Sequence, residues 1–399
     1  MSQHVQNKQT EKVKICFLLT HPIQYLSPLF SFVNLNYQVE VSAIYQSNRS
    51  IVGTIDKEFG RTVDWGRPLL EGYKYFFLPA IGSVANVSCC LPFNYGLVKL
   101  LRIYKPRIII ITLYGRPFHL WAAFVARVLG IKVYFRDDAN MISKARTARN
   151  IKLKRLYFRL LLSIANGVLS VGKANTDYYL AHGVHPDKIK SMPWAVDNDY
   201  FMTAASSANR HEMRAEMGLT EDSILFSFVG KLSHRKGVEL LIEAFNMLTD
   251  TCEFDIHLAF VGDGELRELV ERATINNGRI HYMGFKDQVE LALWYACIDA
   301  LVLPSLRNET WGLVVNEAGI AGKPAIVSDT VGCWPDLIMN GVTGFVFKGG
   351  DADGLARFMR EMSSDKTKLA QMGEAMQALV RQKYSFDADA RALLEVASK

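Results

Sequence analysis

The chain has 399 residues, of which 49% are hydrophobic and 22% charged, and this length corresponds to two or three domains that each bury a core. The composition excludes collagen-like, coiled-coil and wholly disordered chains, and no apolar run approaches the ~18–20 residues that span a bilayer. The polar opening segment lacks the apolar stretch of a secretory signal. We therefore expect a cytoplasmic protein.

Lysine and arginine are concentrated in the first half of the chain. The net charge is +6, but residues 1–200 carry +14 and residues 201–399 carry −8. No acidic residue occurs between Asp138 and Asp177, whereas eight lysines and arginines do. This asymmetry predicts an anionic partner for the first half, which is nucleic acid, a lipid surface or a phosphorylated substrate.

Six cysteines are spread along the chain without the spacing of a zinc knuckle or a redox pair. We interpret them as reduced thiols that pack as small hydrophobic side chains. They are Cys16, Cys89, Cys90, Cys252, Cys297 and Cys333.

The predicted elements of the first half alternate between buried strands and helices. Continuous runs of Val, Ile and Leu indicate strands at residues 13–20, 37–45, 107–112, 132–135 and 167–171. Helical periodicity occurs around residues 27–34, in 118–130 and in the basic segment 150–165. This alternation predicts a parallel sheet with helices on both faces.

The same alternation restarts after a polar, aperiodic stretch around residues 195–222, where we place a domain boundary. Six further strands, which are followed by helical patterns, are indicated at 224–230, 254–262, 279–285, 300–305, 324–329 and 344–349. The fold is therefore predicted to be α/β, with two facing doubly wound Rossmann-like domains and a ligand cleft at the carboxyl ends of their strands. The predicted units are a polar tail (1–12), an N-terminal domain (13–198), a linker (199–222), a C-terminal domain (223–384) and a last helix that packs back towards the first domain (385–399).

The segment 305–324 carries the strongest chemical signal in the sequence. Glu309 and Glu317 are eight positions apart, one in a loop after a strand and one in the following helix, so both carboxylates can face one cleft. Gly312 lies near the start of that helix, where free amides and the helix dipole favour an anion. Amides for a diphosphate and carboxylates for sugar hydroxyls are the groups that a nucleotide sugar needs.

A cationic turn at residues 229–237 is the second signal. It follows a predicted strand and holds Lys231, Arg235 and Lys236 within six residues of an otherwise acidic half. Two cations aimed at one diphosphate would each contribute roughly 1.5–3 kcal/mol as charge-assisted hydrogen bonds. The segment therefore predicts a phosphate-binding turn.

Two other patterns are weaker. Gly262 and Gly264 lie at a strand–helix turn, but Arg267 stands where a dinucleotide fingerprint needs a third glycine, so a structural turn is favoured. Paired aspartates at 197/199, 351/353 and 387/389 resemble metal ligands. Since two of these pairs precede helical patterns, we interpret them as helix caps and predict no metal site.

Taken together, these motifs make residues 222–350 resemble the retaining nucleotide-sugar glycosyltransferases of family four, which have the GT-B fold. The resemblance rests on Gly-Lys-x4-Lys-Gly at 230–237, Gly-Asp-Gly-Glu at 262–265, Gly284, the two spaced glutamates with Glu-Ala-x3-Gly-x-Pro, and Gly-Val-Thr-Gly at 341–344. The first half is similar mainly in strand order and in Ala-Val-Asp at 195–197.

The resemblance implies a role for each motif residue. Glu309 would bind hydroxyls of the donor sugar, Glu317 the ribose, and Lys231 and Lys236 the diphosphate. Phe285 and Lys286 would lie near the base. Backbone amides would bind sugar and phosphate. The implied donor-binding residues are Gly230, Lys231, Lys236, Phe285, Lys286, Glu309, Thr310, Trp311, Gly312, Leu313 and Glu317.

The sequence departs from the family pattern at two places. Lys231 stands where the family has Arg, which keeps the charge but loses the bidentate fork. The glycine-rich loop after the first strand is replaced by Thr-His-Pro-Ile-Gln-Tyr at 20–25, so His21 could approach the reacting carbon or the acceptor. Arg136 and Asp137 end a strand where the family keeps an active-site residue, although such groups are more often structural.

The resemblance implies transfer with retention from a nucleoside-diphosphate sugar, without a metal or other cofactor, to a glycan or lipid-linked acceptor in surface polysaccharide or glycolipid assembly. The departing phosphate is stabilised by Lys231, Lys236 and helix-end amides. Residues 144–159 combine cations with Leu, Tyr and Phe, which is equally typical of a solvated helix face and of one bound to an anionic membrane. The second possibility places the protein on the inner face of the cytoplasmic membrane.

Other functions remain open at this point. A sugar-nucleotide epimerase of the same fold would act without an acceptor, and a glycan phosphorylase would need a longer chain and bound pyridoxal phosphate. A catalytically silent sugar-nucleotide binder would keep the same donor residues, and a protein that only binds an anionic surface would need just the basic first half. Nucleic-acid binding is disfavoured, because no groove-reading motif accompanies the positive first half and the second half is negative.

Overall fold

The computed structural model describes residues 12–51, 55–56, 61–62, 66–82, 93–143, 148–251 and 253–398. Cys89, Cys90 and Cys252 lie outside these residues, as do positions 144–147 of the basic segment and the predicted tail up to residue 11.

A seven-stranded parallel sheet organises the first domain, in the order β11-β10-β9-β8-β1-β2-β5. Its central strands are buried on both faces, as their unbroken apolar runs predict. Two antiparallel pairs, β3 with β4 and β6 with β7, lie outside this sheet. The strands are β1 (Val13–Leu19), β2 (Val39–Tyr45), β3 (Ile55–Asp56), β4 (Arg61–Thr62), β5 (Lys74–Phe77), β6 (Ala80–Ile81), β7 (Phe93–Asn94), β8 (Ile108–Thr112), β9 (Lys132–Arg136), β10 (Gly167–Ser170) and β11 (Ile189–Ser191).

A six-stranded parallel sheet organises the second domain, in the order β14-β13-β12-β15-β16-β17. The chain first adds strands on one side of β12 and then continues on the other side with β15. One hydrophobic core lies on each face of the sheet. The strands are β12 (Ile224–Val229), β13 (Ile256–Val261), β14 (Ile280–Tyr282), β15 (Ala300–Leu303), β16 (Ala325–Ser328) and β17 (Gly344–Phe347).

Helices connect the strands and cover both sheets, which confirms the predicted α/β architecture of two doubly wound domains. Two short 3-10 turns occur at Pro186–Lys188 and His234–Lys236. The helices are α1 (Ser27–Asn36), α2 (Leu97–Tyr104), α3 (Pro117–Val128), α4 (Ala148–Ile164), α5 (Lys173–Ala181), α6 (Asn198–Ser207), α7 (Arg210–Ala215), α8 (Val238–Thr249), α9 (Arg267–Asn276), α10 (Gln288–Cys297), α11 (Leu313–Ile320), α12 (Trp334–Leu337), α13 (Ala352–Ser363), α14 (Lys366–Lys383) and α15 (Phe386–Ser398).

The stretch 199–222, predicted as an aperiodic linker, is largely helical, and that prediction is wrong. The Asp197 side chain accepts from the Tyr200 amide at 3.2 Å and starts α6, and Asn209 caps α7 in the same way. Both helices pack against α10 of the second domain, and Phe201 is fully buried in its core. The helices are therefore set by capping side chains and by packing more than by a strong apolar period.

The last helix, α15, returns to the first domain. Its apolar side chains join the core under β1 and α1, and the Tyr37 hydroxyl of the first domain donates to Asp387 near its start. The preceding helix α14 packs on α11 of the second domain. The C-terminal segment therefore crosses from one domain to the other.

The cysteines and the paired aspartates have structural roles where the structure describes them. Cys16, Cys297 and Cys333 are buried free thiols, as predicted for these three. Asp197 and Asp351 cap α6 and α13. Among the described residues, no three His, Cys, Asp or Glu side chains are grouped to hold a metal ion. In the same part of the chain, no helix is long and apolar enough to cross a bilayer.

Candidate functional site

The candidate site lies where the second sheet reverses its order of strand addition. β12 and β15 are neighbours, but the next strands in the chain lie on opposite sides of this pair. The loops that leave the carboxyl ends of such a pair diverge and open a crevice, which is the usual ligand position in a doubly wound sheet. The cationic turn follows β12, and the loop with Glu309 follows β15.

Backbone packing holds the cationic turn against the loop after β15. Gly237 has φ +74°, and a Cβ there would lie 2.2 Å from the Pro304 carbonyl oxygen. The Leu306 amide donates to the Arg235 carbonyl at 2.8 Å. The glycine therefore allows the two loops to touch.

Lys236 and Glu309 form an ion pair at this junction. The Lys236 Nζ contacts Glu309 Oε2, and each side chain is 12% exposed. The Ser305 hydroxyl donates to the same carboxylate oxygen at 2.9 Å. A Cβ at Gly230 would stand 3.9 Å from Lys236 Nζ, so the ammonium lies beside the end of β12. The structure thus brings together residues from the two strongest sequence signals.

The backbone after Glu309 is fixed by close contacts. The Gly332 amide donates to the Glu309 carbonyl at 2.9 Å. Gly312 has φ +100° and starts α11, and a Cβ there would come within 2.9 Å of Leu303. The Trp311 indole is 3% exposed and donates to Asn316 at 2.9 Å. The Trp311 side chain is therefore held in the protein interior, and only its backbone can contact a ligand in the cleft.

Glu317 lies inside α11 and faces the first domain, but it is 1% exposed. The Tyr295 hydroxyl donates to its Oε2 at 2.7 Å, and Tyr25, from the loop after β1, also forms a side-chain hydrogen bond with it. Burial raises the pKa of Glu317 to about 7, although both tyrosine hydrogen bonds act in the opposite direction. The Glu317 carboxylate, which was predicted to bind ribose, is thus already hydrogen-bonded to two tyrosine hydroxyls, one from each domain.

Tyr25 belongs to the loop that replaces the family's glycine-rich segment. The ring packs against the core of the second domain. Burial raises the pKa of Tyr25, and the negative charges of Glu317 and Glu309 add to this effect. In the same loop His21 Nδ1 is 2.8 Å from Thr20 Oγ1, and its Nε2 is 3.4 Å from Arg49. The loop therefore contacts Glu317 through Tyr25, whereas the His21 ring contacts first-domain side chains.

Arg136 and Asp137 have different environments despite being neighbours. Arg136 is 2% exposed, stacks 4.1 Å from the centre of the Trp194 ring and donates to the Pro193 carbonyl at 3.1 Å. These contacts hold the segment that leads into the second domain. Asp137 accepts from the Ala139 amide, and burial together with its neighbour Asp138 raises its pKa to about 6.

Asp138 is a site residue that the sequence analysis missed. Its Oδ2 accepts from Thr310 Oγ1 at 2.8 Å, and Asn140 donates to the Thr310 carbonyl at 2.8 Å. Burial raises the pKa of Asp138, and the charge of Glu309 adds to the effect. The Arg-Asp-Asp run at the end of β9 marked this position in the sequence. Arg136 and Asp137 were predicted as site residues, but Asp138 is the one that contacts the second domain.

Three further predicted donor residues follow β14 and β12, which lie on either side of β13 in the second sheet. Phe285 and Lys286 come after β14 and are half-buried, and Lys286 Nζ lies 5.6 Å from the centre of the Trp294 ring. Lys231, half-buried, comes directly after Gly230 at the end of β12.

Gly262 and Gly264, which follow β13, allow close contact between backbone segments, as predicted for a structural turn. A Cβ at Gly262 would lie 1.8 Å from the Gly230 carbonyl oxygen, and one at Gly264 would lie 2.4 Å from that of Leu232. They let the loop after β13 rest directly on the cationic turn.

Known proteins resemble this chain in sequence and in fold. Residues 209–378 match the family described as glycosyl transferases group 1. A D-inositol 3-phosphate glycosyltransferase of Xylanimonas cellulosilytica is 28% identical over 240 residues, 57% of this chain and 55% of that protein. A GDP-mannose-dependent monoacylated alpha-(1-6)-phosphatidylinositol monomannoside mannosyltransferase of Corynebacterium glutamicum is 28% identical over 52% of this chain and 55% of its own.

Among solved structures, Anabaena Alr3699/HepE in complex with UDP superposes with a TM-score of 0.71 at 17% identity, over 97% of this chain and 100% of that chain. This likeness confirms the two-domain GT-B fold. The sequence matches cover little more than half the length of the two relatives.

Proposed function

We propose that this protein is a retaining glycosyltransferase, because residues 209–378 match the family described as glycosyl transferases group 1. It moves a sugar from a nucleoside-diphosphate sugar to a glycan or lipid-linked acceptor. The donor occupies the crevice between β12 and β15, and the acceptor approaches from the first domain.

The observation that carries this proposal is the contact between Lys236 and Glu309 at the strand junction. The two residues come from separate motifs that are 73 positions apart. A cation and a carboxylate side by side match a ligand in which a diphosphate is joined directly to a sugar. Asp138 and Tyr25 bring the first domain to the same place, so a second substrate can meet the first.

In the proposed reaction the bond between the anomeric carbon and the diphosphate oxygen breaks, and the acceptor oxygen bonds to the same face of the sugar. Lys231, Lys236 and the amides of residues 310–313 stabilise the charge that develops on the leaving diphosphate. The acceptor proton passes to that phosphate, so a separate protein base is not needed. The lysines supply the positive charge, and the reaction uses no metal.

The other predicted residues have supporting roles in this scheme. Glu309 binds hydroxyls of the donor sugar, and Phe285 and Lys286 lie near the base. Glu317 binds the ribose once Tyr25 has moved aside. On the acceptor side, His21 and Asp137 line the approach, and Arg136 holds the segment 192–194 in place.

We also propose that the acceptor belongs to surface polysaccharide or glycolipid assembly at the inner face of the cytoplasmic membrane. The Corynebacterium relative is named for a phosphatidylinositol mannoside, which supports a lipid-linked acceptor. The described part of segment 144–159 lies in α4 and carries the cations that suit an anionic membrane surface.

A thermal-shift panel of nucleoside diphosphates and their sugars tests the donor site. A specific ligand at 100 times its Kd should raise the free energy of unfolding by about 2.7 kcal/mol. Incubation of the best donor with candidate acceptors should then release the nucleoside diphosphate. Conversion of the donor without an acceptor would identify an epimerase, and binding without any turnover would identify a silent binder.

A further inference from the structure

The outer face of α3 and α4 carries six large apolar side chains that are 41–69% exposed. We call this set the apolar face. It consists of Trp121, Phe124 and Val128 on α3, and Leu153, Leu156 and Leu160 on α4.

Their spacing makes the apolar face continuous. Both sets follow the pattern i, i+3, i+7, which places three side chains along one side of a helix. α3 and α4 pack against each other on the same face of the first sheet, opposite to α1 and α15. Soluble helices usually turn such stripes inwards, and the inner sides of these helices already fill the core with other residues, including Ala122, Ala126 and Phe158.

Positive charge surrounds the apolar face. Lys152 and Arg159 are exposed on α4 next to the leucines, and Arg127 is exposed on α3 between Phe124 and Val128. In the sequence, residues 72–176 hold 17 lysines and arginines but only two acidic residues. These two are Asp137 and Asp138, which follow β9 and lie on neither α3 nor α4.

We propose that the apolar face and its cations bind the surface of an anionic lipid bilayer. The exposed rings and leucines enter the boundary between headgroups and acyl chains, while the lysine and arginine heads stay at the level of the lipid phosphates. We expect binding to anionic lipid to be stronger than binding to a neutral surface, because lysine and arginine side chains near the membrane are attracted to negatively charged headgroups.

This surface is connected to the candidate site by α4 itself. On the inner side of the helix, Lys154 Nζ lies 5.0 Å from the centre of the Tyr114 ring, and the Tyr157 hydroxyl donates to the Tyr114 carbonyl. The Tyr114 hydroxyl reaches Asp137 at 3.4 Å. A bilayer on the outer side of α4 would hold lipid headgroups next to the acceptor edge of the cleft, a consequence that rests on the proposed function.

Vesicle sedimentation with the full chain tests the proposal. We expect at least tenfold more protein to sediment with vesicles of equal parts phosphatidylcholine and phosphatidylglycerol than with phosphatidylcholine alone, and added salt to reduce this binding. The double variants Phe124→Ser/Leu160→Ser and Lys152→Gln/Arg159→Gln should each lose at least tenfold. Ile275→Ser, on α9 and 83% exposed in the wild type, is the control and should bind as the wild type does.

The fluorescence of Trp121, which lies on the apolar face, provides a second test that does not use sedimentation. Trp121 emission should shift to shorter wavelength with anionic vesicles, and the shift should disappear in Trp121→Phe. Equal binding to both vesicle types, or variants that bind as the wild type does, would overturn the proposal. Thermal shifts with the panel of nucleoside diphosphates and their sugars separate the two ideas. Stabilisation by any of them without vesicle binding refutes only the membrane surface, and vesicle binding without stabilisation by any of them refutes only the donor site.

Discussion

The ion pair between Lys236 and Glu309 determines the charge that the donor side of the cleft presents. In the structure the ammonium is shared with Glu309, so a diphosphate would have to compete with that carboxylate for Lys236. In the proposed reaction, donor binding would replace this one charge-assisted contact with two: phosphate with lysine, and sugar hydroxyl with glutamate. The pair keeps two buried charges satisfied until the donor arrives.

Removal of either partner should abolish most of the transfer activity. We expect Lys236→Ala and Glu309→Ala each to lower kcat/KM by about a hundredfold or more, because each removes a group that acts on the developing charge or on the sugar. Initial rates of nucleoside-diphosphate release give the measurement, with circular dichroism to verify folding.

Lys368→Ala is the matched control for this experiment. This variant also removes a lysine–glutamate ion pair, because Lys368 Nζ lies 3.3 Å from Glu361 Oε1. That pair lies on the exposed surface of α13 and α14, in the second domain. Its activity should stay within twofold of the wild type. Wild-type turnover by either cleft variant would contradict the assignment of the donor site.

Glu317 should make the stability of the ligand-free protein depend on pH. Burial raises its pKa to about 7, against 4.5 for a solvent-exposed glutamate. Because the folded state holds the proton more tightly, the stabilising contribution is complete below pH 4.5 and is lost as pH rises towards 7. A raised pKa of this size corresponds to roughly 3 kcal/mol at most.

The variant Glu317→Gln keeps the shape but cannot ionise. We expect its free energy of unfolding to fall less between pH 5 and pH 8 than that of the wild type, by about 1–3 kcal/mol. Urea unfolding at several pH values measures this difference. Identical pH profiles for the two proteins would show that the buried carboxyl does not titrate in this range.

The loops after β12 and β13 depend on each other through backbone contact. The variant Gly262→Ala places a Cβ 1.8 Å from the Gly230 carbonyl oxygen, at φ +138°. Because that oxygen belongs to the backbone, it cannot move aside as the end of a flexible side chain could. We expect a loss of about 2–4 kcal/mol in unfolding free energy and a displaced cationic turn. Thermal unfolding and nucleotide binding both measure the effect.

Gly278→Ala provides the comparison for that prediction. A Cβ at Gly278 meets no atom within 4 Å, so its unfolding free energy should stay within about 0.5 kcal/mol of the wild type. Equal stability of the two alanine variants would mean that the loops are not in close contact.

Elements with a strong internal pattern could be predicted from the sequence, and elements that depend on their surroundings could not. β8 is an unbroken isoleucine run and was predicted, because a doubly covered strand must be apolar throughout. β5 and β11, at the two edges of the first sheet, are short and partly exposed and carry no such run. The helices α6 and α7 were missed because capping and packing on α10 form them.

The same distinction holds for the candidate site. Lys236 and Glu309 stand in local motifs whose residue types indicate phosphate and sugar binding, so the sequence pointed to both. The Arg-Asp-Asp run marks the end of β9, but the contact of Asp138 with Thr310 joins residues 172 positions apart, and a single sequence does not show which residues meet over such a distance. Tyr25 and Tyr295 were missed for the same reason, since their importance lies in a shared contact with Glu317.

Contacts between the two domains fix the shape of the whole molecule. On the cleft side, Asp138 accepts from Thr310, and Asn316 donates to the Trp194 carbonyl at 3.0 Å. A second contact lies next to Gly172, where Asp336 of the second domain accepts from the Lys173 amide at 2.9 and 3.0 Å, at the start of α5 in the first domain. The chain itself crosses between domains at α6 and again at α15.

Asp336 is the contact that can be removed without touching the proposed donor site. Its carboxylate caps a helix of the other domain and also accepts from Tyr384 at 3.0 Å. We expect Asp336→Ala to lose about 0.5–2 kcal/mol of stability, as other helix caps do, and to let the domains separate more often. Small-angle scattering should then give a larger radius of gyration than for the wild type.

Asp351→Ala distinguishes the loss of a cap from the loss of a domain contact. Asp351 accepts from the Gly354 amide at 2.9 Å and caps α13 within the second domain. Both variants should therefore be less stable by a similar amount, but only Asp336→Ala should change the radius of gyration. A nucleoside diphosphate that stabilises the wild type should restore the compact form of Asp336→Ala if it draws the two domains together, because contacts with the ligand then offset the lost one. A radius that is unchanged in Asp336→Ala would mean that the contacts at Thr310 and Asn316, together with the two chain crossings, suffice to hold the domains.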